Sequence, residues 1–400
     1  MSDAASRCVP CRLSPPGMVC SLGDDNERIA EALFNGRRGL TVSDAFTPGR
    51  PLPVGQVATP LADTSAWPAE HVSRNNQLLT LALERLGEQL DASLEAALTR
   101  YSPRRVGVVI GTSTSGIGET EAALATAGRS APLPDNFRYA RQELGAPARF
   151  VAEQLGLTGP MYALSTACSS SARALASARR LLLSGECDAV IAGGADSLCR
   201  LTVNGFASLE AVSERPCLPF SAHRDGINLG EAAALFMVTA ERGGIQLAGV
   251  GESADAYHIS APRPDGSGAL AAMRGALEQA GIAPQQVDYL NLHGTGTLHN
   301  DRMEALAVGA LFADSPPVSS TKALTGHTLG AAGALEAAFC WLALAHGRLP
   351  RHVYDGAYDP ELAPLTLVDD PMPARPPRHA LSNSFAFGGN NASLLLSRED

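Results

Sequence analysis

The chain has 400 residues, 45% of them hydrophobic, with 41 acidic against 31 basic side chains for a formal net charge of −10. That size and composition indicate a globular protein with room for an extensive core or one large duplicated fold. The acidic balance argues against nucleic acid or an anionic membrane as the main partner, and no run approaches the roughly 18 uninterrupted apolar residues of a membrane span.

The first residues carry an early acid and no apolar core of a secretory signal, so the expected location is cytoplasmic. The eight cysteines lie without framework spacing. Cys8 and Cys11 form a CxxC with no second pair at zinc spacing, so no metal site is expected. Residues 1–16, polar and interrupted by Pro10, Pro15 and Pro16, read as a flexible tail. From Gly17 a strand end, a glycine turn and a helix from Asp24 to Gly36 follow. Residues 41–70 read mostly as loop, and 75–98 as one long helix with apolar residues at 78, 79, 82, 83, 86 and 90.

RVGVVIG at 105–111 has strand length. The TSTSGIG turn after it lacks the spacing of a phosphate loop and is not read as a nucleotide site. A short helix is expected over 149–156. The stretch 163–185, ALSTACSSSARALASARRLLLSG, then runs from an apolar strand through Cys168 into a helix closing at Gly185. Cys168 therefore sits where free helix N–H groups and the helix dipole favour negative charge, which should ease ionisation of its thiol. CDAVIAGGADSL repeats the strand-then-turn design, and FASLEAVS resumes helical spacing. Past a seam at 242–244 the pattern restarts, with a helix over 267–281 and a strand over 287–292. Strands alternating with such helices indicate an α/β protein with parallel sheets, duplicated as halves 17–243 and 244–400.

Three further side chains lie on turns like that of Cys168. His293 ends a strand-like run, and His327 follows Lys322 by five residues, ahead of a helix that carries Glu336. Of the 31 basic residues, every one but Lys322 is arginine, which marks a position that needs a compact ammonium. Ligand crevices of parallel α/β sheets lie beyond the carboxyl ends of the strands, so Cys168, His293 and His327 are expected to converge. The other seven histidines read as surface or core residues. A Cys-His-acid hydrolase triad needs one histidine only and leaves Lys322 without a purpose.

TACSSSA at 166–172, HGTGT at 293–297, STKALTGHTLGAAGALE at 320–336 and NSFAFGGNNAS at 383–393 resemble, in order, the motifs of β-ketoacyl-[acyl carrier protein] synthases. These are elongating, decarboxylative condensing enzymes, and the likeness runs from about residue 17 to the C-terminus. The resemblance implies a thiolase-like duplicated α/β fold, two βαβ-derived halves in five αβαβα layers, and a dimer. It implies Cys168 as acyl-accepting nucleophile and His293 and His327 as the pair that assists malonyl decarboxylation. Lys322 and Glu336 fall to their supporting network, and Phe387 to the gate. The Cys168 and Phe387 N–H groups would form the first oxyanion hole. Thr295, Thr297, Phe206 and Phe385 would contact pantetheine or acyl chain.

The phosphopantetheine arrives on a partner acyl carrier protein, so no resident cofactor is expected. The second partner is another copy, or a homologous chain-length-factor subunit. The SRNNQL and GTSTSGIG stretches are more similar to synthases of aryl-polyene or related secondary pathways than to those of primary fatty acid elongation. Leu298-His299-Asn300, Ala386 and Ala232 depart from the family pattern and bear on substrate choice. A chain-length-factor-like scaffold, the alternative, lacks the nucleophile. A biosynthetic thiolase would carry a second cysteine near the FGG turn, and the last cysteine here is Cys340. Arg104, Arg105, Arg141 and Arg149 are candidate carrier contacts, with a solvated face as the other reading of each.

Overall fold

A computed structural model describes residues 10–90, 94–127, 132–135 and 137–399. The first half contributes strands β1 (Arg12–Leu13), β2 (Gly17–Val19), β3 (Val106–Gly111), β4 (Met161–Leu164), β5 (Ala189–Asp196) and β6 (Ala232–Thr239). Its main helices are α1 (Arg74–Glu88), α2 (Ala146–Gln154), α3 (Ser170–Leu183) and α4 (Arg200–Ser208). The second half contributes β7 (Gly244–Ala254), β8 (Tyr289–Asn291), β9 (Pro317–Ser319), β10 (Thr366–Leu367), β11 (His379–Phe385) and β12 (Asn390–Glu399). Its helices are α5 (Ser267–Ala280), α6 (Leu298–Leu311) and α7 (Ala332–His346).

The duplication inferred from alternating patterns is visible in the pairing. In the first half β4, β3 and β5 run parallel, and β6 and then β2 join antiparallel. In the second half β9, β8 and β11 run parallel, and β12 and then β7 join antiparallel. Strand β1 pairs with both β6 and β7, which makes the two halves one twelve-stranded sheet. Helices α3 and α7 pack on each other and on strands of both halves, while α1 and α2 cover the outer face of the first half and α5 that of the second, with α6 beside it. The order is helix, strand, helix, strand, helix, the five layers expected.

Burial explains why each element has its pattern. β3, β5 and β6 are buried along their whole length, as strands covered on both faces must be, and read as continuous apolar runs. Helix α1 starts at the Ser73 cap, whose side chain accepts from the Asn76 N–H, and buries the apolar face predicted at Leu78, Leu79, Ala82, Leu83 and Leu86. The stretch Leu329–His346 is apolar and long enough to cross a membrane, but it is 83% buried as the central helix of the core.

Several expectations are corrected. The tail ends earlier than residue 16: Arg12 and Leu13 are a sheet strand and Cys11 and Leu13 are core residues, while residues 1–9, with Cys8, lie outside the described residues. The single helix over 75–98 is two, Arg74–Glu88 and Leu94–Leu98. Residues 41–70 include strands Thr41–Ser43 and Leu52–Gly55, which with Leu229–Gly230 form a small second sheet. The helix expected at FASLEAVS begins earlier, at Arg200.

Candidate active site

The Cys168 turn is built from its own hydroxyls. Ala167 has a left-handed φ of 52°, a conformation that folds the chain sharply between β4 and α3 and displays Cys168 at the helix start. The Ser170 hydroxyl donates to the Ala167 carbonyl at 2.6 Å and accepts from the Thr166 N–H at 2.9 Å; the Ser169 hydroxyl donates to the Thr166 carbonyl at 2.9 Å. These bonds satisfy the backbone groups that a tight turn leaves unpaired. Ser171 and Ala172 serve a different end. The Ser171 hydroxyl accepts from the Ala334 N–H at 2.8 Å, and a Cβ at Gly333 would lie 2.6 Å from the Ala172 nitrogen. Small residues after Cys168 thus let α3 and α7 touch near their N-termini.

His327 arrives from the second half. Its N–H donates to the Asn228 carbonyl at 2.7 Å and its carbonyl accepts from the Gly230 N–H at 2.9 Å, so a strand of the small sheet clamps it on both sides. Its Nε2 lies 3.0 Å from Cys168 Sγ, and its Nδ1 accepts from the Leu329 N–H at 3.3 Å. An Nδ1 that accepts places the ring proton on Nε2, so the tautomer aims an N–H at the sulfur. The His293 ring stands edge-to-face to His327, centroids 5.3 Å apart at 84°. A nitrogen of each histidine and the Cys168 sulfur lie within 4.8 Å of one another. The three residues converge as expected.

The support around them was only partly foreseen. The Lys322 ammonium contacts the Glu336 carboxylate, both fully enclosed, as the family pattern implied. Glu304, one helical turn past Asp301, went unassigned. Its carboxylate accepts from the His293 N–H at 2.8 Å, the Gly294 N–H at 2.7 Å and Asn383 Nδ2 at 3.1 Å, and so fixes the His293 turn. Asp301 accepts from the Phe220 N–H at 2.8 Å and the Gly296 N–H at 3.2 Å. The signal available in the sequence was two acids spaced i, i+3 on one helix face, directly after HGTGT.

Electrostatics corrects one expectation. Burial pushes the Cys168 thiol up to about 11, although the Lys322 charge and the N–H groups of Phe387 and Cys168 pull it down. Desolvation of a thiolate outweighs the helix start, so the resting thiol is protonated. Burial, and then the Lys322 charge, holds both His293 and His327 well below the usual histidine range, hence neutral. Burial raises Glu304 and Glu336 to about 7. Two neutral histidines next to a buried cation offer N–H donors without becoming acids strong enough to protonate what they bind.

The site opens through a cavity of about 510 Å³ whose floor is Cys168, His293 and His327. Phe206, Phe385, Phe387, Thr295 and Thr297 all line it, as does the Leu298-His299-Asn300 departure. Phe206 packs on Phe387 with ring centroids 5.4 Å apart, and Thr295 and Thr297 share a 2.9 Å hydrogen bond. The Phe387 and Cys168 N–H groups face the sulfur and lower its thiol pKa. Ala386 sits in extended backbone, φ −102° and ψ 154°, which alanine adopts freely. Ala232 is buried in β6 opposite Asp196, away from the cavity lining.

The arginine candidates fare differently. Arg104 and Arg105 stand at the start of β3, about 20 Å by strand length from the end that faces the cavity, and Arg105 pairs with Asp188. Arg149 pairs with Glu143, and Arg141 donates to the Ala69 carbonyl at 2.6 Å. None lines the cavity.

Comparison with known proteins agrees with this geometry. The chain matches the family models "Beta-ketoacyl synthase, N-terminal domain" over residues 17–242 and "Beta-ketoacyl synthase, C-terminal domain" over residues 245–354. It is 34% identical to nodulation protein E of Rhizobium meliloti (strain 1021), over 95% of this chain and 97% of that one. It is 39% identical to the mitochondrial 3-oxoacyl-[acyl-carrier-protein] synthase of Arabidopsis thaliana over 62% of this chain, a match that spans 58% of the plant protein. Among solved structures, a ketosynthase in complex with its chain length factor from Xenorhabdus doucetiae superposes with a TM-score of 0.90, at 41% identity over 100% of both chains. The chain belongs to the β-ketoacyl synthase family of condensing enzymes and has its thiolase-like fold.

Proposed function

We propose that the chain is an active β-ketoacyl-[acyl carrier protein] synthase. The observation that carries the reading is the Cys168, His293 and His327 cluster, its ligand atoms within 4.8 Å, on the floor of a cavity that an extended thioester arm can enter. In the first half-reaction the Cys168 sulfur attacks the acyl thioester carbon. The developing oxyanion takes the N–H groups of Cys168 and Phe387, and the thiol proton ends on the departing carrier sulfur. In the second, malonyl carrier binds with its thioester oxygen between the histidines. Loss of CO2 leaves an enolate there, stabilised by imidazole N–H donors worth about 3 kcal/mol each; its carbon attacks the acyl carbon, the C–S bond to Cys168 breaks, and the sulfur leaves as a thiolate that regains its proton from water. The His327 tautomer supports this use over metal binding, because Nε2 presents a proton and not a lone pair to the cluster.

The same reading assigns an acyl carrier protein as substrate donor, supplying the phosphopantetheine, and a homologous chain as second partner, in the cytoplasm. Strand β4 ends the sheet with an open edge and an exposed Met161, a template for pairing with a related chain. The ketosynthase of Xenorhabdus doucetiae is assembled with a chain length factor, which favours a heterodimer for this chain too. The scaffold alternative fails to explain a nucleophile held by so many specific bonds.

Intact mass after incubation with acyl carriers of varied length and unsaturation tests the reading. The expected result is one acyl adduct, absent from Cys168→Ala, with polyene chains loading best if the aryl-polyene resemblance extends to substrate. No adduct from any donor, or an adduct that persists in Cys168→Ala, contradicts the assignment.

A further inference from the structure

The hydroxyl-rich turn after β3, which matched no nucleotide motif, holds an anion after all, and the anion is internal. Thr112, Ser113 and Thr114 wrap the carboxylate of Asp196 at the end of β5. Its Oδ1 accepts from Thr112 Oγ1 at 2.7 Å, the Ser113 N–H at 2.8 Å, the Thr114 N–H at 2.9 Å and Thr114 Oγ1 at 2.7 Å. Its Oδ2 accepts from Ser113 N–H at 3.0 Å and from the Gly330 N–H. Asp196 is fully buried and forms no ion pair among the described residues. A buried carboxylate without a cation is expensive and persists only where every lone pair is used.

The position of the last donor gives this arrangement a meaning. All the others belong to the nucleophile half, whereas Gly330 lies in the other half, three residues beyond His327. A Cβ at position 330 would lie 2.6 Å from Asp196 Oδ2, so the contact exists only because the residue is glycine. The Ser171 bond to the Ala334 N–H is its counterpart, three residues beyond Cys168. These two buried hydrogen bonds cross between the halves one short turn from a reacting residue, beside the two backbone bonds that hold His327 itself to Asn228 and Gly230.

We propose that Asp196 is a positioning residue for His327: together with the backbone bonds of His327 to Asn228 and Gly230, it anchors the His327 turn to the nucleophile half and so sets the 3.0 Å separation of Nε2 from the Cys168 sulfur. The inference rests on the proposed use of His327 and Cys168 in one centre. It also gives the TSTS turn its purpose, as the cradle that holds the anchor in place and whose hydrogen bonds oppose the rise in its pKa that burial imposes.

The test uses the full-length protein and the pH profile of Cys168 alkylation by iodoacetamide, with acyl loading measured alongside. Asp196→Asn keeps the shape but replaces an acceptor with an amide that does not fit all these donors. The sulfur then loses the His327 N–H, so the profile moves to higher pH by about one unit, and acyl loading slows roughly 10- to 100-fold with the carrier KM within twofold. His327→Ala produces the same shift, and adding Asp196→Asn to it produces no more. Gly330→Ala breaks the anchor from the opposite side and gives the same result if Asp196→Asn does not fold. An Asp196→Asn or Gly330→Ala protein with the wild-type profile, or an effect undiminished in the His327→Ala background, overturns the proposal. If His327→Ala itself leaves the profile unchanged, the assignment of His327 to the sulfur falls instead.

Discussion

The two halves share one topology and put opposite residues at the same places. The turn between β4 and α3 presents Cys168, and the equivalent turn between β9 and α7 presents His327. The next turn in each half shows the difference more sharply. Gly111 pairs with Leu164 and Gly194 as Asn291 pairs with Ser319 and Ser382, so Ser113 is the counterpart of His293 and Thr114 of Gly294. In both halves a buried carboxylate accepts those two N–H groups, Asp196 in the first and Glu304 in the second. A duplicated scaffold therefore provides the same carboxylate-held turn twice, with the His293 imidazole on one copy and the Ser113 hydroxyl on the other. The two carboxylates come from different elements, Asp196 from the end of β5 and Glu304 from α6.

The largest expected effect breaks the support peculiar to the second half. Lys322→Ala leaves the Glu336 carboxylate buried without its cation, which destabilises by about 3–5 kcal/mol in urea unfolding. A loss below 1 kcal/mol would mean that Lys322 holds no structural charge balance. Next, Glu304→Gln separates the roles of the two carboxylates. CO2 release from malonyl carrier should fall about 100-fold as the His293 turn loosens, while acyl loading of Cys168 changes less than threefold. Equal losses in both steps would show that the turn serves the whole site and not His293. The smallest effect concerns the crossing of α3 and α7: Gly333→Ala forces a methyl against the Ala172 backbone and costs about 1–3 kcal/mol of stability by thermal unfolding. A neutral result would mean that the halves can separate without cost.

Much of this was legible in the residues. Cys168, His293, His327 and Lys322 stand in motifs whose strand-turn-helix setting is periodic enough to read, and the seam at 242–244 falls between β6 and β7. Asp196 was not legible as a site support, because a sequence shows an acid and not its burial, and Glu304 only as the second of two acids on one helix face. The ease of ionisation expected at Cys168 failed for the same reason: the helix start is visible in the pattern, and the desolvation that opposes it is a property of the packed site. Arg12–Leu13 was missed because two residues have no periodicity, yet they join the halves. Arginine density pointed at 104 and 105, at the wrong end of a strand, since charge along the chain carries no information about which end of the sheet it occupies.

The central claim is that turns from both halves meet in one centre with divided labour, the thiol holding the acyl chain and the imidazoles handling the malonyl group. CO2 release from malonyl carrier, measured for the wild type, Cys168→Ala, His293→Ala and His327→Ala, tests it directly. The account predicts that Cys168→Ala still releases CO2, whereas each histidine variant loses about 100-fold or more. Histidine variants that release CO2 at the wild-type rate, or a Cys168→Ala protein as inactive as they are, would contradict it.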